Sequence, residues 1–157
     1  MPTLYIANGI GFGQKSRETW LRDVVSTVRA MGFDVIEPFS DNNEVSLAQD
    51  RTVSQELEIA RLDAKGVRDS DGVLCIISSP IPDEGSMIEA GMAMAWDKPV
   101  FYLNDDFRFE PNGRVLPMNL MLFTHTTANT WREFYYTSLG SLADPNKAMY
   151  KLLNGTA

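Results

Sequence analysis

A chain of 157 residues, 44% of them hydrophobic and 22% charged, is long enough for one globular domain with a buried core. Its 14 basic and 21 acidic residues give a net charge of −7 and a pI near 4.6, which disfavours non-specific binding to nucleic acid or to anionic membranes. One Cys and one His exclude an intramolecular disulfide and a structural zinc site. No apolar run reaches the roughly 18 residues of a membrane span and no leader pattern opens the chain, so a cytoplasmic protein is expected.

Residues 3–7, Thr-Leu-Tyr-Ile-Ala, are short, apolar and β-prone, and predict a first strand running into Asn8-Gly9-Ile10-Gly11-Phe12-Gly13. Ser16 is placed to cap a helix with Trp20, Leu21, Val24, Val25 and Val28 at helical spacing, closing at Met31-Gly32. Residues 33–36 predict a second strand and 40–46 a polar loop. Leu57, Ile59, Ala60, Leu62 and Val67 predict an amphipathic helix over 53–68, with Glu58 and Asp63 as exposed charges. Residues 72–77 read as a buried strand carrying Cys75, 86–96 as a helix with Met87, Ile88, Gly91, Met92 and Ala95 inward, and 100–103 as a fourth strand. Residues 104–114 look like an acidic loop, 116–123 carry no clear pattern, and helices are predicted over 130–139 and 145–153. Strands alternating with helices imply a single α/β domain over residues 1–157. Its core would be a flavodoxin- or Rossmann-like parallel sheet of about five strands, with helices on both faces.

Two segments carry candidate chemistry. Gly9, Gly11 and Gly13 lack the third glycine of a dinucleotide fingerprint, where Gln14 stands, and Gln14 also separates Gly13 from Lys15, so neither NAD nor ATP is supported. The loop is either a tight turn or a glycine floor, centred on Gly9, that lets a ligand approach the backbone. Asp83-Glu84-Gly85-Ser86-Met87-Ile88-Glu89 puts two carboxylates six residues apart, beyond the C-terminal end of a strand, where open α/β sheets bind small molecules. Ser86 to Glu89 also fits a capping box, which by itself accounts for Glu89 structurally.

The motif Asp83-x-Gly85-Ser86-x-x-Glu89-x-Gly91 resembles the signature of nucleoside 2-deoxyribosyltransferases. Tyr5-Ile6-Ala7, Asp71 in Ser70-Asp71-Gly72-Val73, and Leu116-Pro117-Met118-Asn119-Leu120-Met121 extend the likeness over most of the chain. The resemblance implies that Glu89 attacks the anomeric carbon of a 2-deoxynucleoside, forming a covalent deoxyribosyl-enzyme that a second free nucleobase resolves with retention. It implies Asp71 as the base-side acid, Tyr5 as the residue orienting Glu89, and Asp83 near the sugar 5′-hydroxyl. It also implies a homo-oligomer, at least a dimer and with a hexamer among the options, in which Asn119 and Met121 complete a neighbouring site. No metal or organic cofactor is required. Phe12 is the candidate for stacking on the base, with Phe39 and Trp20 as further aromatics; Asn8 stands where relatives often carry glycine, and His125 is expected to be a surface or satisfied histidine. Two alternatives stand beside this reading. One is a deoxynucleoside 5′-monophosphate N-glycosidase, for which Lys15, Ser16 and Arg17 speak and against which the charge of Asp83 speaks. The other is a non-catalytic nucleotide-sensing domain.

Overall fold

The structure is a computed structural model that describes residues 1–41, 50–78, 82–106 and 116–155. Among these, five strands form one sheet: β1 (Thr3–Asn8), β2 (Asp34–Ile36), β3 (Gly72–Ile76), β4 (Val100–Leu103) and β5 (Tyr135–Tyr136). They lie in the order β2-β1-β3-β4-β5, and every neighbouring pair is parallel. Register is set by pairs such as Tyr5 with Ile36 on one side and Val73 on the other, and Cys75 with Tyr102.

Period-2 alternation sorts the strands into two cores. Leu4, Ile6, Leu74, Ile76, Phe101 and Leu103 face α2 (Arg22–Met31) through Val24 and Val28, and α6 (Ala148–Leu153) through Met149. Tyr5, Ala7, Val73, Cys75, Val100 and Tyr102 face α4 (Val53–Asp69) through Val67, and α5 (Glu84–Ala95) through Ala90 and Ala93. With both faces covered, β3, β4 and residues 4–7 of β1 are apolar without interruption. The chain leaves β1 toward one face and β3 toward the other, so their C-terminal ends flank a topological switch point.

Several local expectations change. The helix before β2 is not capped by Ser16, which lies inside a helical run: α1 (Gln14–Ser16) passes into a π-helical turn, Arg17–Leu21, and then into α2. Gly32 ends α2 with a φ of 109°, a left-handed conformation that glycine adopts without strain. A short helix, α3 (Pro38–Asp41), runs into the start of the polar loop expected over 40–46, while residues 42–49 and 107–115 lie outside the described set. The helix expected over 130–139 is instead a 3-10 turn at Trp131–Glu133 followed by β5. The aromatic side chains of this stretch suit a pleated surface: Tyr136 is fully buried and Phe101 stacks on Phe134 at 5.8 Å. The unassigned stretch 116–123 ends in a 3-10 helix, Leu120–Phe123, that inserts Phe123 into the second core. No helix among the described residues is long and apolar enough to cross a membrane.

Candidate active site

A cleft of about 360 Å³ opens at the switch point, between the loop after β1, α4 and the first two turns of α5. That volume falls within the usual range for small-molecule sites. Asp83 is the N-cap of α5: its Oδ2 accepts the Ser86 backbone N–H at 2.8 Å and the Ser86 hydroxyl at 2.9 Å. The capping box expected at Ser86 does not form: the N-cap lies three residues upstream, and Glu89 takes no part in it. The buried stripe of α5 is rotated too, with Ser86, Ala90 and Ala93 inward and Ile88 exposed. Gly9 is needed where it stands, because a Cβ there would lie 2.7 Å from the Asp83 Cβ. The glycine lets the end of β1 close onto the capping carboxylate.

Released from capping, Glu89 meets Tyr5. The Tyr5 hydroxyl donates to Glu89 Oε1 at 2.6 Å, a short charge-assisted bond. Tyr5 reaches it from the middle of β1 beneath α4, where Gly66 makes room; a Cβ on Gly66 would stand 2.9 Å from the Tyr5 ring. Burial and the Glu89 charge push the Tyr5 hydroxyl far above its ordinary range, so it remains a donor. Burial pushes Glu89 up to about 7; the Tyr5 bond pulls it down and the charges of Asp63 and Asp83 raise it.

Asp63 lines the same cleft, and burial followed by the nearby Glu37 charge raises it to about 6. Two carboxyl groups that titrate near neutrality thus share one partly dry pocket, the kind of pairing that separates nucleophile from proton donor. Sequence reasoning assigned Asp63 to an exposed helix face. The missed signal was helical spacing: Glu56, Ile59, Asp63 and Gly66 follow at three or four residues, and the first three line the cleft while Gly66 packs on Tyr5.

The structure does not bring Asp71 here. It precedes β3, at the opposite end of the sheet, is exposed, and accepts the Thr3 N–H at 2.7 Å. A residue just before a parallel strand is a strand length away from the C-terminal edge where the cleft opens. Phe12 stands at the cleft, 73% exposed, edge to face on Phe39 with ring centroids 5.0 Å apart. Phe39 serves both core and cleft wall, whereas Trp20 packs against the first core. Asn119 and Met121 are exposed and do not line the cleft of their own chain; Asn119 Oδ1 accepts the Met121 N–H at 3.0 Å. Lys15 and Ser16 line a separate open depression with Asp105 and Asp106, and Arg17 donates to the Gly11 carbonyl at 2.8 Å. His125 lies away from the cleft, its Nε2 3.0 Å from the Val100 carbonyl, and burial lowers its pKa. Cys75 is buried, as expected, and burial pushes its thiol up. Among the described residues no three His, Cys, Asp or Glu side chains are grouped to hold a metal ion.

The sequence matches the family described as nucleoside 2-deoxyribosyltransferase over residues 4–121. Among solved structures, a 2-deoxyribosyltransferase from the psychrotolerant bacterium Bacillus psychrosaccharolyticus has a TM-score of 0.68 at 17% identity, covering 90% of each chain. A 2-deoxyribosyltransferase from Leishmania mexicana has a TM-score of 0.63 at 19% identity, covering 90% of this chain and 93% of the other. A CMP N-glycosidase from Clostridium botulinum has a TM-score of 0.50 at 12% identity, covering 88% of this chain and 92% of the other. No curated protein matches the sequence.

Proposed function

This chain belongs to the nucleoside 2-deoxyribosyltransferase family, and within it we propose that the protein moves 2-deoxyribose from one nucleobase to another by retaining double displacement. The observation that carries the reading is the Tyr5–Glu89 bond of 2.6 Å at a cleft that also holds Asp63.

In the first half, Tyr5 holds Glu89 Oε1, leaving the other carboxylate oxygen to attack C1′ of a 2-deoxynucleoside. The carboxylate favours the oxocarbenium-like transition state by its charge before it bonds to the sugar. The C1′–N bond breaks, and Asp63, whose hold on a proton burial and the Glu37 charge strengthen, gives that proton to the departing base when it carries one. In the second half an incoming base attacks C1′, its N–H proton passes to the Asp63 carboxylate, and Glu89 leaves. Two inversions give net retention. Asp83 has Oδ2 committed to Ser86, which leaves Oδ1 to accept the 5′-hydroxyl of the sugar. Asn119 and Met121, outside the cleft of their own chain, would complete the cleft of a neighbouring subunit in an oligomer.

Mixing the purified protein with a 2-deoxynucleoside and a different free base tests this: a new 2-deoxynucleoside is expected, and Glu89→Ala abolishes it. The competing N-glycosidase reading draws on Arg51, a cation in the cleft wall. It predicts base release from a deoxynucleoside 5′-monophosphate with no transfer product. The negative charge of Asp83 opposes it. A nucleotide sensor would bind without turnover in the wild type.

A further inference from the structure

The cleft wall that carries Phe12 and Phe39 is held by a carboxylate the exchange chemistry does not touch. Glu37 follows β2 and is 3% exposed. Its Oε1 accepts the Phe39 N–H at 3.1 Å and the Asn8 side-chain amide at 3.3 Å, and its Oε2 accepts the Ser40 N–H at 2.9 Å. Asn8, the last residue of β1, turns its Oδ1 to the Gly11 N–H at 2.9 Å. Gly11 in turn lies against the Phe39 ring so closely that a Cβ would stand 2.1 Å from it. The links close into a circuit through Phe39, Glu37, Asn8 and Gly11, with Phe12 set on the same ring. A carboxylate this deeply buried is costly unless donors surround it, and here the donors come from the two segments that carry the aromatic pair.

We propose that Glu37 is a positioning residue for base recognition: by tying Asn8 to the Phe39 turn it holds Phe12 and Phe39 as a platform for a flat heterocycle beside Glu89. This rests on the base-exchange reading and names the part of the cleft that recognises the base. An aromatic side chain as exposed as Phe12 offers a stacking face that any nucleobase can use. The same carboxylate also faces Asp63 and Tyr5, so one buried charge serves both the platform and the proton donor. The platform is used twice, by the base whose bond to C1′ breaks and by the base whose bond to C1′ forms. Water needs no platform: its attack on C1′ breaks the ester to Glu89 and releases free 2-deoxyribose.

The test measures base exchange and sugar release with 2-deoxynucleosides and free bases, with thermal unfolding as the control for folding. Asn8→Asp puts an oxygen where the amide donated to Glu37, and adding Glu37→Gln returns a donor toward residue 8 while removing one acceptor for the backbone N–H groups of Phe39 and Ser40. Asn8→Asp is expected to raise KM for the acceptor base about tenfold, the scale of one lost charge-assisted hydrogen bond. The loss should fall on KM for the acceptor base more than on the rate of sugar release, and the double variant should bring that KM part of the way back while kcat for exchange stays low, because Glu37→Gln also removes the charge beside Asp63. Phe12→Ala, an exposed change, should raise KM and shift partitioning toward free sugar in the same way. A natively melting Asn8→Asp with unchanged KM and partitioning, or a double variant no better than the single, overturns the proposal. If Asn8→Asp does not fold, an unchanged Phe12→Ala overturns it. A wild type that exchanges no bases overturns the base-exchange reading itself, a result distinct from either of these.

Discussion

Replacing Tyr5 by Phe removes one hydroxyl and leaves a fully buried ring in place, so it isolates what the hydroxyl does for Glu89. The bond is 2.6 Å long and charge-assisted, and it is the contribution that opposes burial in setting the Glu89 pKa near 7. A hydrogen bond to an ionised group contributes roughly 1.5–3 kcal/mol, which corresponds to about one to two pH units. Without it Glu89 ionises later, and at pH 7 the nucleophilic form falls from about half the molecules to between a tenth and a hundredth. The wild-type profile of kcat/KM for a 2-deoxynucleoside should be a narrow bell with limbs near 6 and 7. Those limbs belong to the Glu89–Asp63 pair jointly, because the singly protonated state has both nucleophile and acid. In Tyr5→Phe the upper limb should move to higher pH by about one to two units and the maximum should fall, while the lower limb stays near 6 and the melting temperature changes little. An unmoved upper limb, or a loss of activity equal at every pH, would refute the idea that Tyr5 acts by stabilising the Glu89 anion.

Three further outcomes follow from the same geometry. Folding raises the Glu89 carboxyl from its ordinary 4.5 to about 7, so the folded protein holds this proton more tightly than the unfolded chain; its contribution to stability is complete below pH 4.5 and lost as pH climbs through 7. Glu89→Gln should therefore be more stable than wild type at pH 8 by on the order of 3 kcal/mol, melting at a higher temperature, and the gap should close by pH 4.5 in thermal melts. Asp63→Asn should slow release of a base that leaves only when protonated by about 10²-fold to 10⁴-fold, whereas Asp71→Ala should exchange bases at a rate within about threefold of wild type; initial rates distinguish the two aspartates. Asp83→Ser keeps a capping oxygen for α5 and removes the negative charge, so the ratio of kcat/KM for a deoxynucleoside monophosphate to that for the nucleoside should rise, and a falling ratio would contradict the assignment of Asp83 to the 5′ end.

The sheet was legible where periodicity is strong. β1, β3 and β4 are runs of branched and aromatic residues buried on both faces, and nothing else in the chain competes for that reading. β5 was hidden because it is two residues long and its aromatic neighbours also fit a helical face; only pairing with β4 distinguishes them. At α5 local spacing points to a cap at Ser86, whereas the structure caps the helix with Asp83. The tertiary approach of Gly9 to Asp83 accompanies the Asp83 cap, and that approach joins residues 74 positions apart. This shift frees Glu89 for Tyr5, so the same spacing that suggested a structural role concealed the contact on which the proposed chemistry rests. Asp63 and Asp71 lie near the same helix-to-strand junction, and residue type alone does not say which end of the sheet each occupies. Asn119 and Met121 are exposed and lie outside the cleft of their own chain, so the part proposed for them in a neighbouring site has no counterpart within one chain.

The most direct test of Glu89 as the nucleophile is to mix the protein with a 2-deoxynucleoside in the absence of an acceptor base, quench rapidly, and map the adduct by peptide mass spectrometry. One deoxyribosyl group on Glu89, lost on adding a free base as a new nucleoside appears, is the predicted result. Exchange proceeding with no adduct on Glu89, or with the sugar attached to another residue, would contradict it.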